Sequence, residues 1–108
     1  MIEILFEHKL CSINRRYINR NYTLSDEYRN CKALLKVTCR RFYPYRELIT
    51  EPVGVSIQWD KGRMDLDASV KVISDALQGE VYKNDSQVQL LKIEHVPKAK
   101  TIIKVWLL

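Results

Sequence analysis

Two aspartates one residue apart, Asp65 and Asp67, open the stretch of this chain in which charged groups are spaced for chemistry. If Met64 to Asp67 is extended, the two-residue side-chain period puts both carboxylates on one face, close enough to share a cation. Like charges held together favour a counter-ion, and hard divalent ions such as Mg²⁺ and Mn²⁺ prefer carboxylate oxygens while retaining waters. Two or three aspartates with open coordination positions are what metal-assisted phosphodiester hydrolysis needs. If a helix starts at Asp67, Lys71 at i+4 and Asp75 at i+8 rise from the same face and put a cation beside the acidic pair. A lysine there can position an attacking water or balance charge on the phosphate in the transition state. Taken alone, the residues leave a plainer alternative open, with Asp67 as a helix N-cap and Asp67, Lys71 and Asp75 in ordinary surface ion pairs.

The chain that must position these groups has 108 residues, 46% of them hydrophobic and 29% charged, which predicts one domain spanning 1–108 with a single core. With only three glycines and no Gly-rich phosphate-cradling pattern, a nucleotide cofactor is not expected. A net charge of +5 and a pI near 9.2 favour an acidic partner, nucleic acid or an anionic membrane surface. The basic helix described below has few large apolar residues beside its cations to insert into lipid, which disfavours the membrane. No apolar run approaches the roughly 20 residues that span a bilayer, and the first residues lack a signal peptide's pattern, so an intracellular (cytoplasmic) protein is expected. Cys11, Cys31 and Cys39 form no CxxC pair, and His8 with Cys11 has no second pair of ligands, which points to core packing rather than zinc or disulfides.

Residues 2–8 alternate Ile2, Ile4 and Phe6 with Glu3 and Glu7, a half-buried strand. A polar loop from Ser12 to Thr23 follows, carrying Asn14, Arg15, Arg16 and Arg20 with Tyr17 and Tyr22 among them. From about Ser25 to Phe42 the spacing is helical, with Leu24, Tyr28, Cys31, Leu35, Thr38 and Phe42 on one side and Arg29, Lys32, Lys36 and Arg40 opposite. That basic stripe is single-signed, with no acidic i,i+4 partner inside it, although a merely solvated face is an equal reading. Val53 to Trp59 alternate as a second strand, and Asp60-Lys61-Gly62-Arg63 signals a turn. A second helix is expected from about Asp67 to Leu77, stopped by Gly79, then a polar loop to Asp85. Residues 87–96 and 101–107 read as a closing hairpin turned at Pro97-Lys98-Ala99-Lys100. The order βαβαββ predicts an α/β (α+β) fold, one mixed sheet of about four strands with two main helices packed on it.

Asp65-Leu66-Asp67, Lys71, Asp75-Ala76-Leu77 and Asp85-Ser86-Gln87-Val88 occur in that order and at these intervals. The combination resembles the RusA family of Holliday junction resolvases, which carry an Asp-Leu-Asp-Asn run, a lysine four residues after the second Asp, an Asp-Ala-Leu, and an Asp followed by x-Gln-Val. Ser12-Ile13-Asn14-Arg15-Arg16-Tyr17 looks like the family's Ser-x-Asn followed by a basic, aromatic loop. Ala68 stands where the family usually has Asn, and Leu10-Cys11 where many relatives have prolines.

The resemblance implies a RusA-like homodimer that binds four-way DNA junctions and nicks two strands symmetrically with Mg²⁺ or Mn²⁺. It maps the family's metal ligands onto Asp65, Asp67 and Asp85, the last of which periodicity alone leaves in a loop. Lys71 matches the catalytic lysine, and Asp75 a recurring acid that supports the site or the helix. Lys61, Arg63, Arg15, Arg16, Arg20, Asn14 and Lys71 are the expected DNA contacts, positioning phosphates without reading sequence. Small resolvases of this kind are often phage-encoded, which implies a setting in phage recombination. Two rival readings share the residues: a nucleic-acid-binding protein without catalysis, and a nuclease for another branched or flapped substrate.

Overall fold

The computed structural model describes residues 1–10 and 26–108, in the order β1 (Ile2–Phe6), α1 (Asp26–Phe42), β2 (Val53–Trp59), α2 (Val70–Leu77), a 3-10 turn (Asp85–Gln87), β3 (Val88–His95) and β4 (Thr101–Leu107). The expected loop of Asn14, Arg15, Arg16 and Arg20, with Tyr17 and Tyr22, lies outside the described residues, as does Cys11.

The strands form one mixed four-stranded sheet in the order β1-β4-β2-β3. β4 runs antiparallel to both β1 and β2, whereas β3 runs parallel to β2 with a register shift between Val53 and Gly54. The sheet is the expected one, but the expected hairpin does not form: β3 and β4 lie on opposite sides of β2. The connection crosses the end of β2 and is pinned there by Asp60, whose carboxylate accepts from the backbone N–H of Gly62 at 3.0 Å and of Lys98 at 2.9 Å. Lys98 takes a left-handed conformation (φ 62°), and the Val96 N–H donates to the Trp59 carbonyl at 2.9 Å. Burial explains which strand goes inside. In β4 Thr101, Ile103 and Val105 are buried, whereas most of β3 is exposed, as suits an edge.

Both helices belong to one core, in which Ile4, Phe6, Val55, Ile57, Ile103 and Val105 of the sheet meet Tyr28, Leu35, Ile73 and Leu77. The other sheet face carries Leu5, Ile102, Trp106 and Leu90 among Glu3, Lys104, Lys92 and Glu94, all at least partly exposed. Trp106 lies against Gly54, where an added Cβ would fall 2.5 Å from the indole. In α1 the buried stripe is Tyr28, Cys31, Leu35 and Cys39, each following at three or four residues. The expectation had Thr38 and Phe42 at that end, but Phe42 is exposed, because Cys39 takes the inward position one turn after Leu35. Burial pushes the Cys39 thiol up to about 12, with the nearby Glu80 adding to the shift, so it is an inert core group.

Candidate active site

The acidic stretch is not extended. The Ala68 N–H donates to the Asp65 carbonyl and the Val70 N–H to the Asp67 carbonyl, both at 3.1 Å, so two tight turns carry the chain into α2, which begins at Val70 rather than Asp67. Trp59 fixes this segment: its buried indole N–H donates to the Leu66 carbonyl, between the two acids, at 3.1 Å. Because the chain turns here, Asp65 and Asp67 do not share a face. Asp65 lines one cleft with Lys61, Arg63, Asp60, Lys9 and Lys100. Asp67 lines another, of about 460 Å³, with Lys71 and Ser74 of α2, Tyr82, Asp85, and an apolar floor of Val55, Ile57 and Leu91.

Asp85, 18 residues beyond Asp67 in sequence, thus shares a cleft with it. Its position follows from local chemistry. Asn84 caps the 3-10 turn by accepting from the Ser86 N–H, and the Gln87 side chain accepts in return from the Asn84 N–H at 2.8 Å. The Gln87 amide also donates to the carbonyls of Ile49 at 2.8 Å and Glu51 at 3.1 Å, tying the turn to the segment before β2. Asp85 itself donates its N–H to the Gln78 side chain at 2.8 Å and accepts from the Tyr82 hydroxyl at 3.1 Å. Burial and the Asp85 carboxylate both push the Tyr82 hydroxyl well up from its ordinary value, so it stays protonated and donates.

Lys71 faces this cleft and is held by Asp75, with Nζ 3.0 Å from Oδ1. The other Asp75 oxygen accepts from the hydroxyl of Tyr28, on α1. Burial pushes the Asp75 carboxyl up, but these two bonds, with Lys71 and Lys32 as nearby cations, hold it below the usual carboxylate range.

The remaining expected residues are distributed as follows. Lys61 and Arg63 come together beside Asp65, in the cleft that does not hold Asp67 and Asp85. The basic stripe of α1 is not single-signed in space: Arg40 contacts Glu80 through two nitrogens, the closest at 3.1 Å, and Lys36 stands 3.9 Å from the same carboxylate. Glu80 arrives from the loop after α2, which no i,i+4 count within α1 can register. Tyr82, Tyr28, Gln78 and Trp59 are the site residues that sequence reasoning missed. Gln87 stood in the recognised motif without a role.

Two hard carboxylates with an open cleft between helix and sheet edge fit a small divalent ion, since Mg²⁺ is commonly held by one or two carboxylates with waters and phosphate oxygens completing its shell. Among the described residues the Asp67 carboxylate has no hydrogen bond or ion pair, and no three His, Cys, Asp or Glu side chains are gathered as a ready cage. The fit is therefore to an ion that takes part of its coordination from solvent or substrate.

The family model for endodeoxyribonuclease RusA matches residues 10–107. The chain belongs to the RusA family. It is an endodeoxyribonuclease, a hydrolase of DNA phosphodiester bonds, and RusA membership implies a Holliday junction resolvase acting on branched DNA. The match takes in both helices and the strands β2, β3 and β4, so Asp65, Asp67, Lys71 and Asp85 all fall inside the matched residues. A search of curated proteins found no match to the chain. Among the described residues no helix is long and apolar enough to cross a membrane.

Proposed function

We propose that this RusA protein resolves four-way junctions by metal-dependent, symmetric paired nicking, as a homodimer that presents one site to each of two strands. The observation that carries this reading is the shared cleft of Asp67, Asp85 and Lys71, three groups of the right chemistry brought together from a turn, a 3-10 turn and a helix. Asp65, Asp67 and Asp85 are the proposed metal carboxylates: Asp67 and Asp85 line one cleft and would hold the ion, whereas Asp65 lines the neighbouring cleft and would join them only by a rearrangement of its turn. Mg²⁺ or Mn²⁺, if held by these carboxylates, would supply Lewis acidity, making a water a better nucleophile and offsetting charge on the leaving 3′ oxygen.

The chain's own side chains do the rest. Tyr82 holds one Asp85 oxygen and so orients the carboxylate. Lys71 places a positive charge at the cleft wall, where a phosphate would gain charge in the transition state. Lys61 and Arg63, together with Asn14, Arg15, Arg16 and Arg20, are the proposed phosphate contacts, and affinity is expected to fall steeply with salt. The sheet face opposite the helices, partly exposed among the described residues and apolar at Leu5, Ile102, Trp106 and Leu90, offers a second copy a surface whose two lysines and two glutamates balance. An intracellular, DNA-associated location in a phage recombination setting accompanies this reading.

A labelled synthetic four-way junction, beside a linear duplex of the same sequence, in Mg²⁺, Mn²⁺ or chelator, tests it. Paired nicks on the junction alone, requiring metal, are expected, with a sedimentation coefficient of a dimer. Binding without cleavage in every metal would instead establish a non-catalytic branched-DNA binder, and cleavage confined to flaps a different nuclease.

A further inference from the structure

We propose that Tyr28, from a helix outside the acidic motif, is a positioning residue for Lys71, acting through Asp75. The proposal rests on the reading of Lys71 as a catalytic group. Tyr28 is buried in the first turn of α1, and its hydroxyl donates to Asp75 Oδ2 at 2.5 Å, while Asp75 Oδ1 takes the Lys71 ammonium at 3.0 Å. The two contacts use different oxygens of one carboxylate, so the tyrosine fixes the plane in which the carboxylate meets the lysine.

Lys71 needs such help. A lysine ammonium is a point charge on a flexible four-carbon stem, and the Lys71 side chain is 45% exposed. An i,i+4 pair with the lysine N-terminal to the acid is the weaker orientation on a helix, and a surface pair of this kind by itself holds little. A tether from a second helix changes that, because Asp75 then cannot turn with the lysine into solvent. The depressed Asp75 titration agrees with this geometry, since burial alone would raise it. Lys32, one turn after Tyr28 on α1, also lowers that titration, so the carboxylate is held in its charged form from both helices. A phenylalanine would fill the same core space as the Tyr28 ring, which makes the hydroxyl a separable feature.

Single-turnover cleavage of a saturating four-way junction, with junction affinity measured alongside, tests the proposal in wild type, Tyr28→Phe, Asp75→Asn, Lys71→Met and the Tyr28→Phe/Lys71→Met double variant. Tyr28→Phe is expected to lower the cleavage rate by about tenfold, the scale of one well-placed hydrogen bond to a charged group, with affinity unchanged within about twofold. In the Lys71→Met background the same substitution is expected to cost nothing further. Nuclear magnetic resonance of the lysine ammonium groups supplies a readout independent of cleavage: the Lys71 signal is expected to be protected from exchange in wild type and lost in both Tyr28→Phe and Asp75→Asn. An equal rate loss in both backgrounds, or a Lys71 signal unchanged by both substitutions, overturns the positioning role. Should Tyr28→Phe not fold, Asp75→Asn carries the same expectation. A wild-type rate in Lys71→Met would instead remove Lys71 from the reaction, a failure of the functional reading that the ammonium signal distinguishes from a failure of the tether.

Discussion

Removing the Gln87 side chain should loosen the loop that carries Asp85, and the structure sets the size of the effect. The amide accepts from the Asn84 N–H and donates to the Ile49 and Glu51 carbonyls, at 2.8, 2.8 and 3.1 Å. A neutral intramolecular bond contributes on the order of 1 kcal/mol net. Gln87 is partly exposed, so water replaces some of what is lost, and Gln87→Ala is expected to cost about 2 kcal/mol in all. For a domain near this size that corresponds to a fall in Tm of roughly 10 °C, well resolved by calorimetry. Gln87→Glu is the sharper variant. Its carboxylate still accepts from Asn84 but is acceptor-only, so it faces the Ile49 and Glu51 carbonyls without a proton to offer. It should therefore melt at or below Gln87→Ala at neutral pH and recover as the new acid protonates, toward pH 4 on the ordinary scale. Junction cleavage should fall in both variants with binding retained, because the loop positions Asp85 rather than the phosphate contacts. A change in Tm of less than about 2 °C in Gln87→Ala would refute the clamp.

Other consequences are equally open to measurement. Asp75 is held below its unfolded value of 3.8, so its contribution to stability is present above that value and lost as pH falls through the lower folded value. The stability gap between wild type and Asp75→Asn, measured by urea unfolding, should therefore be constant near neutrality and close below about pH 4. Tyr82→Phe removes the donor to Asp85 and should weaken Mn²⁺ binding by roughly tenfold, read by paramagnetic resonance of the free ion, with Tm little changed; unaltered binding would sink the orienting role. Gly54→Ala places a Cβ 2.5 Å from the Trp106 indole, so overpacking of about 1 kcal/mol is expected, with a red-shifted Trp fluorescence as the ring swings off the open face. An unshifted spectrum would mean that the strand had moved instead.

Much of the fold was legible because strands and helices announce themselves by period. The alternation of Val53, Val55, Ile57 and Trp59 and the apolar spacing from Tyr28 to Leu35 report which side of each element is buried. Period does not report neighbours, however. β3 and β4 both look like strands of a hairpin, and the contacts that carry the chain across β2, such as the clamp of Asp60 on Lys98, join residues as much as 38 apart in sequence. The acidic motif shows the same divide. Residue types and order in Asp65, Asp67, Lys71 and Asp85 were enough to point to the family, but the turns that send Asp65 and Asp67 to different clefts depend on backbone bonds and on the Trp59 indole. Tyr28 and Glu80 act over distances in sequence that no local pattern encodes, 47 residues between Tyr28 and Asp75 and 40 between Arg40 and Glu80.

The central claim is that Asp67 and Asp85, from two separate segments, act on one phosphodiester beside Lys71. The most direct test is single-turnover cleavage of one labelled four-way junction in Mg²⁺ by wild type, Asp67→Asn and Asp85→Asn, with binding to the same junction measured in parallel. The account predicts that each substitution abolishes both nicks while leaving junction affinity equal or greater, since each removes a negative charge near the phosphate. Cleavage at the wild-type rate by either variant would contradict it.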